Sequence, residues 1–515
     1  MLFTELRRPR MRLFWLILAV ISLSLMGCAK PAAAPIIHLP TTSAQIAPSP
    51  TPLPSPIPVE TIYYVAPDGR DDLGNGSVEF PWATINYAAA SVPDGALILV
   101  KPGTYQGQVA LQRQFDRGII IRSERPYQAQ LRHDRPIITC FVCQHVTIEG
   151  FDIAHTGPET QRYVIQIQDI ENTGRGGQFI TLRNNVLHDS YNNDILKINN
   201  GAQDIVVEGN IFYNQAGQDS HIDLTSVTNV TVQDNIFFND FAGSGRTNEH
   251  DTGSFVVIKD ANGEDDGIVG SHDITVRRNI FLNWEGEPGS AFIALGDNSS
   301  VNYFQAHQIL IENNLMLGNA PDVIHAALKI TGGQDIVFRS NTVVGDLPGQ
   351  AYAVRLVAGH MPNEAIAFYN NIWADSTGTM GAAFPDENND LADTTCTDQF
   401  VLLNNLYWNG RQAVPPENDE PFNVSADPQA MVVDPRLTAN QSALVLPRWD
   451  ARNGRFADGS RSIREAFIRL VSQYGTLPPD SPAIAAADPR YMPSDDILGH
   501  LRDNQPDMGA AEQAP

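Results

Sequence analysis

One phrase is written nine times in this chain. "VTIEGFDIAH", "ITLRNNVLHD", "IVVEGNIFYN", "VTVQDNIFFN", "ITVRRNIFLN", "ILIENNLMLG", "IVFRSNTVVG", "IAFYNNIWAD" and "VLLNNLYWNG" each put a short β-branched strand before a marker and an apolar run after it. The markers are Phe151, Asn185, Asn210, Asn235, Asn279, Asn314, Asn341, Asn371 and Asn405, and the tightest steps, Asn185 to Asn210 to Asn235, are 25 residues each. A unit of that length, built of strands and interrupted by variable insertions, cannot bury its apolar face alone. It must stack on copies of itself, which is the signature of a β-solenoid. Leucine-rich repeats share the length but need leucine at fixed spacing and a helical half, and neither is present. Asparagine suits the turn because it tolerates left-handed backbone and its amide can bond to the same residue one rung away. The marker asparagines are therefore read as an internal ladder, a wall rather than a catalyst.

The formal charge of −25 falls to about −28 once the N-terminal leader, with Arg7, Arg8, Arg10 and Arg12 against Glu5, is set aside. Such a chain is a poor match for nucleic acid, whose binding depends on neutralising phosphates with Lys and Arg. The leader continues as "LFWLILAVISLSLMG" and ends at Cys28, the layout of a secretory signal. Leu25–Gly27–Cys28 resembles a bacterial lipobox, which implies cleavage before Cys28 and lipidation of that residue. Residues 29–58, rich in Pro, Ala, Ser and Thr, have little to bury and read as an extended tether. The expectation is a protein held at a membrane through lipidated Cys28, its bulk facing outward. Cys140, Cys143 and Cys396 form no zinc spacing; "CFVC" lies in an apolar stretch and reads as buried free thiols, with a bridge from Cys396 as the alternative.

Both ends of the remaining chain carry a resemblance. "YYVAPDGRDDLGNGSVEFPWATINYAAASVPDGALILVKPGTY" (63–105) is similar to the entry segment of right-handed parallel β-helix proteins of the pectin-lyase-like superfamily. Tyr64, Val65, Gly69, Pro81, Thr84, Ile85, Pro102, Gly103, Thr104 and Tyr105 carry the match, and "SPAI" (481–484) with "DNQPDMGAAE" (503–512) resembles the closing segment. The resemblance implies an all-β, single-stranded right-handed parallel β-helix with an N-terminal capping helix. The layout that follows is signal peptide 1–27, tether 28–60, β-helix 61–440 and C-terminal capping segment 441–515. The superfamily holds lyases, hydrolases, epimerases, adhesins and binding proteins, so fold alone does not select an activity.

Chemistry on a solenoid sits on an outward sheet face beside the longer loops, here 239–272, 283–307 and 375–399. "ILKIN", "HIDLT", "ALKIT" and "AVRLV" align as apolar–X–apolar, so strand alternation sends X outward. That column reads Lys197, Asp223, Lys329 and Arg355, with His221 expected on the same face and Lys259 and Asp260 nearby. The bland interpretation is a solvated face with a Lys197–Asp223 pair. The functional one is a groove for an acidic polysaccharide. β-Elimination from a uronate needs a base for the proton α to the carboxylate and a cation to neutralise that carboxylate. Lys197 is the first candidate base if neighbours lower its pKa, although pairing with Asp223 would raise it. His221 is the second, by its ordinary pKa. Arg246, Lys259, Lys329 and Arg355 are carboxylate-binding candidates. "DANGEDD" offers Asp260, Asn262, Glu264 and Asp266 as oxygen ligands for Ca²⁺, without the EF-hand pattern; an acidic turn is the alternative. The polygalacturonase set is absent, since Asp265–Asp266 has no following G-H-G, and so are the W-x-D-H and R-x-P-x-x-R pectate lyase signatures. The Lys197 region is generically similar to lyases of the chondroitinase B and alginate lyase type. The expectation is a monomeric surface lipoprotein acting on an extracellular acidic polysaccharide by lyase-type elimination; a non-catalytic carbohydrate-binding or adhesive protein is the alternative.

Overall fold

The computed structural model describes residues 61–513, apart from 170–176, 218, 247–251, 262, 264–265, 287–289, 319–323, 325, 346–353, 358–359, 379–396, 415–423 and 439–440. The leader, Cys28, the tether and Cys396 lie outside the described residues.

Each repeat folds as a coil of parallel strands, and in-register stacking of the coils produces, among the described residues, three long parallel sheets of 12, 12 and nine strands. The first sheet runs from Thr61–Val65 to Thr397–Leu403, the second from Gly103–Gln106 to Met431–Val432, and the third from Val109–Leu111 to Val354–Val357. The chain is a right-handed parallel β-helix. Its first coil is closed by the helix Ile85–Ser91, whose N-cap Thr84 accepts the Tyr87 N–H and whose Ile85, Ala88 and Ala89 face the core. Gly69 is required at the entry turn because a Cβ there would lie 2.2 Å from the Trp82 carbonyl oxygen.

The asparagine ladder is continuous at the turn between the first and second sheets. Asn185, Asn210, Asn235, Asn279, Asn314, Asn341, Asn371 and Asn405 are all fully buried. Asn210 is typical: its Nδ2 donates to the Leu182 carbonyl (2.9 Å) and to Asn235 Oδ1 (3.1 Å), and its backbone N–H donates to the same Asn235 oxygen (2.8 Å). Asp427 ends the ladder by accepting the Asn404 and Asn405 N–H groups and the Asn405 amide, each at 2.9 Å. The left-handed residue is the one before each asparagine. Asn184, Gly209, Asp234, Arg278, Asn313, Ser340, Asn370 and Asn404 have φ of +50° to +63°. The ladder residue thus needs its amide, while its predecessor absorbs the backbone turn.

Beyond Val433 the chain turns back along the outer face of the second sheet rather than closing over the last coil. Val186, Ile211, Ile236, Ile280, Leu315, Ile372 and Leu406 point outward there and share a second core with Phe456, Ile463, Phe467 and Leu470. Ser462 caps the helix Ile463–Leu470 by accepting the Glu465 N–H. Trp449 and Phe456 reach Tyr127 near the first coils, with ring centroids 5.0 and 5.6 Å away. The cysteine expectation is corrected: Cys140 and Cys143, both buried, form a disulfide across their two-residue gap.

Candidate functional site

Each third-sheet strand is short and keeps an apolar residue on either side of its outward position. In Leu196–Asn199 and Ser220–Thr225, Leu196, Ile198, Ile222 and Leu224 are fully buried and Lys197 and Asp223 point out between them. Register then fixes the outward column. Gln166, Lys197 and Asp223 lie side by side, followed by Val257, Ala294, Lys329 and Arg355. Lys197 and Lys329 are four rungs apart, about 19 Å at the usual strand spacing.

At the first end of the column the Lys197 Nζ sits 2.8 Å from Asp223 Oδ2, with only 13% and 7% of the two side chains exposed. Thr225 joins them, accepting from Lys197 at 3.1 Å and donating to Asp223 Oδ1 at 2.5 Å. Burial works to lower the lysine pKa, but the negative charges of Asp223 and Asp194 outweigh it and raise the pKa above its ordinary value. The amine is therefore an ammonium ion throughout the neutral range, which fits a neutralising cation and not a base.

Three further groups surround this pair. Asp194, 2% exposed, accepts the Ser220 N–H at 2.8 Å, and burial followed by the charge of Asp223 holds its carboxyl well above the usual range. Asp219 accepts from the Asn193 amide and is raised by burial, with Asp223 adding to the effect. Tyr163, within electrostatic reach of Lys197 and all three carboxylates, is also raised, chiefly by burial. Strand alternation does not point to these groups because they precede the strands. Tyr163 and Asp194 occupy equivalent places in consecutive coils, one residue before the buried Val164 and Ile195. A polar residue at that fixed offset was the available signal.

At the other end, Lys329 and Arg355 are neighbours in register and half-buried. Lys259 belongs nearer the first end: it lies in register beside Thr225, two residues along its strand from Val257, with its Nζ 3.8 Å from Asp297 Oδ2 and both side chains about a third exposed. Val257 and Ala294 form a small apolar floor between the two charged ends.

Two expected site residues are elsewhere. His221 points into the core and is fully buried, stacked 4.5 Å from Phe255, with its Nε2 3.0 Å from Asn239 Oδ1. The reason is the corner at which these strands begin: the second residue of Ser220–Thr225 turns inward together with Ile222, the apolar residue that follows it. Ile195, His221, Phe255 and Phe292 thus form one buried column. Alternation fails at that position, and burial pushes the His221 pKa down to about 3. Arg246 is not in the Lys197 cluster. It donates to Asp189 Oδ1 (2.8 Å) and to the carbonyls of Asn214 (2.8 Å) and Ser190 (3.0 Å), and its guanidinium lies 3.9 Å from the Tyr191 ring centre.

The acidic 260–266 loop gives little support for a cation site. Asp260 is buried and one of its carboxylate oxygens closes the loop by accepting the Gly270 N–H at 2.8 Å. Asp266 accepts the Ile268 N–H at 3.1 Å, while Asn262 and Glu264 lie outside the described residues. Among the described residues no group of three or more His, Cys, Asp or Glu side chains is placed to hold a metal ion.

The sequence matches no protein-family model, and no curated protein aligns with it. Solved structures do share its fold. The chain is similar to the pectate lyase Pel9A, with a TM-score of 0.50 at 15% identity over 88% of this chain and 97% of that one. It is similar to XylC in complex with xylose, with a TM-score of 0.50 at 11% identity, covering 88% and 98% of the two chains. At such identities the likeness is one of architecture.

Proposed function

We propose that this protein acts on an extracellular acidic polysaccharide laid along the outer face of the third sheet, by lyase-type β-elimination. The observation that supports this most directly is the in-register column that begins at Lys197 and Asp223 and ends at Lys329 and Arg355. Lys329 and Arg355 suit uronate carboxylates, and Val257 and Ala294 suit a sugar ring lying close to the sheet. Lys197, fixed by Asp223 and Thr225, takes the role of the cation that stabilises the developing enolate. The role of base passes to a carboxylate. Asp219, more open than Asp194 and raised above its ordinary pKa, is better matched to proton abstraction near neutrality than an unperturbed aspartate. Sharing a fold with a pectate lyase agrees with this substrate class. The anchored location belongs to the same proposal: lipidation at Cys28 and the tether would hold the groove outside the cell.

The Lys197–Asp223 pair favours a second reading, a non-catalytic carbohydrate-binding or adhesive protein using the same groove, because it keeps the amine charged. A panel of acidic polysaccharides, followed by the ultraviolet absorbance of unsaturated uronate ends, separates the two. The lyase reading expects absorbance to grow with one substrate and to be abolished in Asp219→Asn and Lys197→Ala. Glycan binding without new unsaturated ends on any substrate decides for the second reading.

A further inference from the structure

On the second sheet, beside the first residues of its apolar cover, five charged side chains meet. His188 Nδ1 is 2.7 Å from Asp189 Oδ2, and its Nε2 is 2.8 Å from Asp152 Oδ1. Asp152 also takes a bond from Arg132 at 2.7 Å, and Asp189 takes one from Arg246 at 2.8 Å. An ionised carboxylate only accepts hydrogen bonds, and a neutral imidazole has one N–H to give. Two carboxylate contacts on one ring therefore require the doubly protonated imidazolium. The groups that face the ring come from every neighbouring element. They are Arg132, Asp152 and Asp189, Tyr213 stacked at 4.7 Å, and Arg246, with the Arg448–Asp240 pair beyond Tyr213. Burial opposes the positive charge, but Asp189 and then Asp152 overcome it and raise the His188 pKa.

The cluster is wired to the groove through the turn that follows. Arg246 clasps the Ser190 carbonyl, the Ser190 hydroxyl donates to the Asn193 carbonyl, and the Asn193 amide donates to Asp219. Asp194 is the next residue. The six residues after His188 thus end inside the carboxylate cluster beside Lys197.

We propose that His188 is a proton-dependent positioning residue: as an imidazolium between Asp152 and Asp189 it holds Arg246 and the 190–194 turn in place, and on losing its proton it releases them. One carboxylate then faces a ring lone pair, and Asp189 no longer has both of its cationic partners. The acidic wall of the third-sheet groove is ordered on the acid side of this titration and loosened on the alkaline side. The consequence for glycan binding rests on the polysaccharide reading above; the release of the turn does not.

Two measurements on the full chain test this. The ring nitrogens of histidine-labelled protein, followed by NMR, should show one histidine that remains doubly protonated well above the ordinary value of about 6.5. Hydrogen exchange of residues 191–194, corrected for the intrinsic rate, should lose protection about tenfold or more between about pH 6 and pH 9 in the wild type. His188→Gln should remove that step. A wild-type ring that is neutral below about pH 6.5, or protection that stays flat, overturns the proposal, and neither needs a variant that folds. A His188→Gln protein that keeps the step also overturns it. If the step is present but polygalacturonate binding is the same at both pH values, only the link to the polysaccharide reading fails.

Discussion

The second and third sheets are built from the same coils, yet their outer faces have opposite fates. On the second sheet the outward column from Val186 to Leu406 is mostly fully buried aliphatics, and the chain's own C-terminal segment covers it with Phe456, Ile463, Phe467 and Leu470. On the third sheet the outward column carries Lys197, Asp223, Lys329 and Arg355, and pairing of side chains takes the place of an apolar cover. A parallel sheet buried on both faces reads as a continuous apolar run, whereas one with a polar face alternates. "NIFFN" and "ALKIT" show that difference in the sequence itself. Where the molecule finishes a face with its own chain, the sheet itself is covered, and the space that remains, about 410 Å³, lies at the seam where Asp234 and Arg278 meet Ile463 and Arg464.

The largest effect should come from the inside of the third sheet. His221, with a pKa near 3 in the folded chain against about 6.5 unfolded, takes up a proton only on unfolding. Stability should fall as pH drops from about 6.5 towards 3, by roughly 4–5 kcal/mol at the limit. His221→Phe should be near neutral at pH 7 or so and flatten that acid limb in chemical denaturation, because Asn239 Oδ1 keeps the Asn214 N–H. The covered face comes next. Phe467→Ala should destabilise by about 3–5 kcal/mol in urea while glycan binding per folded molecule stays unchanged. Altered binding by this variant would show that the two faces are not independent.

On the charged face, Asp223→Ala should cost about 3 kcal/mol, because it strands the Lys197 ammonium in a nearly closed position. The smallest effect on stability, under about 1 kcal/mol, belongs to Lys329→Ala, which should nevertheless weaken polyuronate binding several-fold. A change in stability as large as that of Asp223→Ala would mark Lys329 as structural and shrink the groove. The His188 cluster, on the second sheet and linked to the third through Ser190 and Asn193, has the opposite pH sign to His221. Its raised pKa contributes stability in full below about 6.5, and that contribution is lost as pH rises through the folded value. Asp152 and Asp189, held low by His188 and their arginines against the opposing effect of burial, lose theirs as pH falls. A thermal-stability profile with an alkaline fall that disappears in His188→Gln would separate this cluster from the core.

Much of the fold was legible because it depends on period. The 25-residue step, the marker asparagines and the strand alternation specify stacking, register and the direction of Lys197, Asp223, Lys329 and Arg355. The site was only partly legible. His221 was misplaced because alternation fails where the strand leaves its corner: His221 and Ile222, consecutive residues near the start of Ser220–Thr225, both turn inward. Arg246 was misread because a long loop advertises charge without saying which carboxylate will receive it; Asp189, 57 residues earlier, does so. Asp194, Asp219 and Tyr163 lie ahead of the strands, where strand alternation gives no direction.

Sequence by itself determined the repeating coil, its buried amide ladder and the identities that line each outward column. These are local or periodic properties, carried by neighbours in the chain or by the same position one turn later. Tertiary structure alone decided which face the C-terminal segment covers, which cations are bound to which carboxylates, and the protonation that each burial imposes. Those depend on groups brought together from remote positions, and the strength of a charge interaction is set by the solvent such packing excludes.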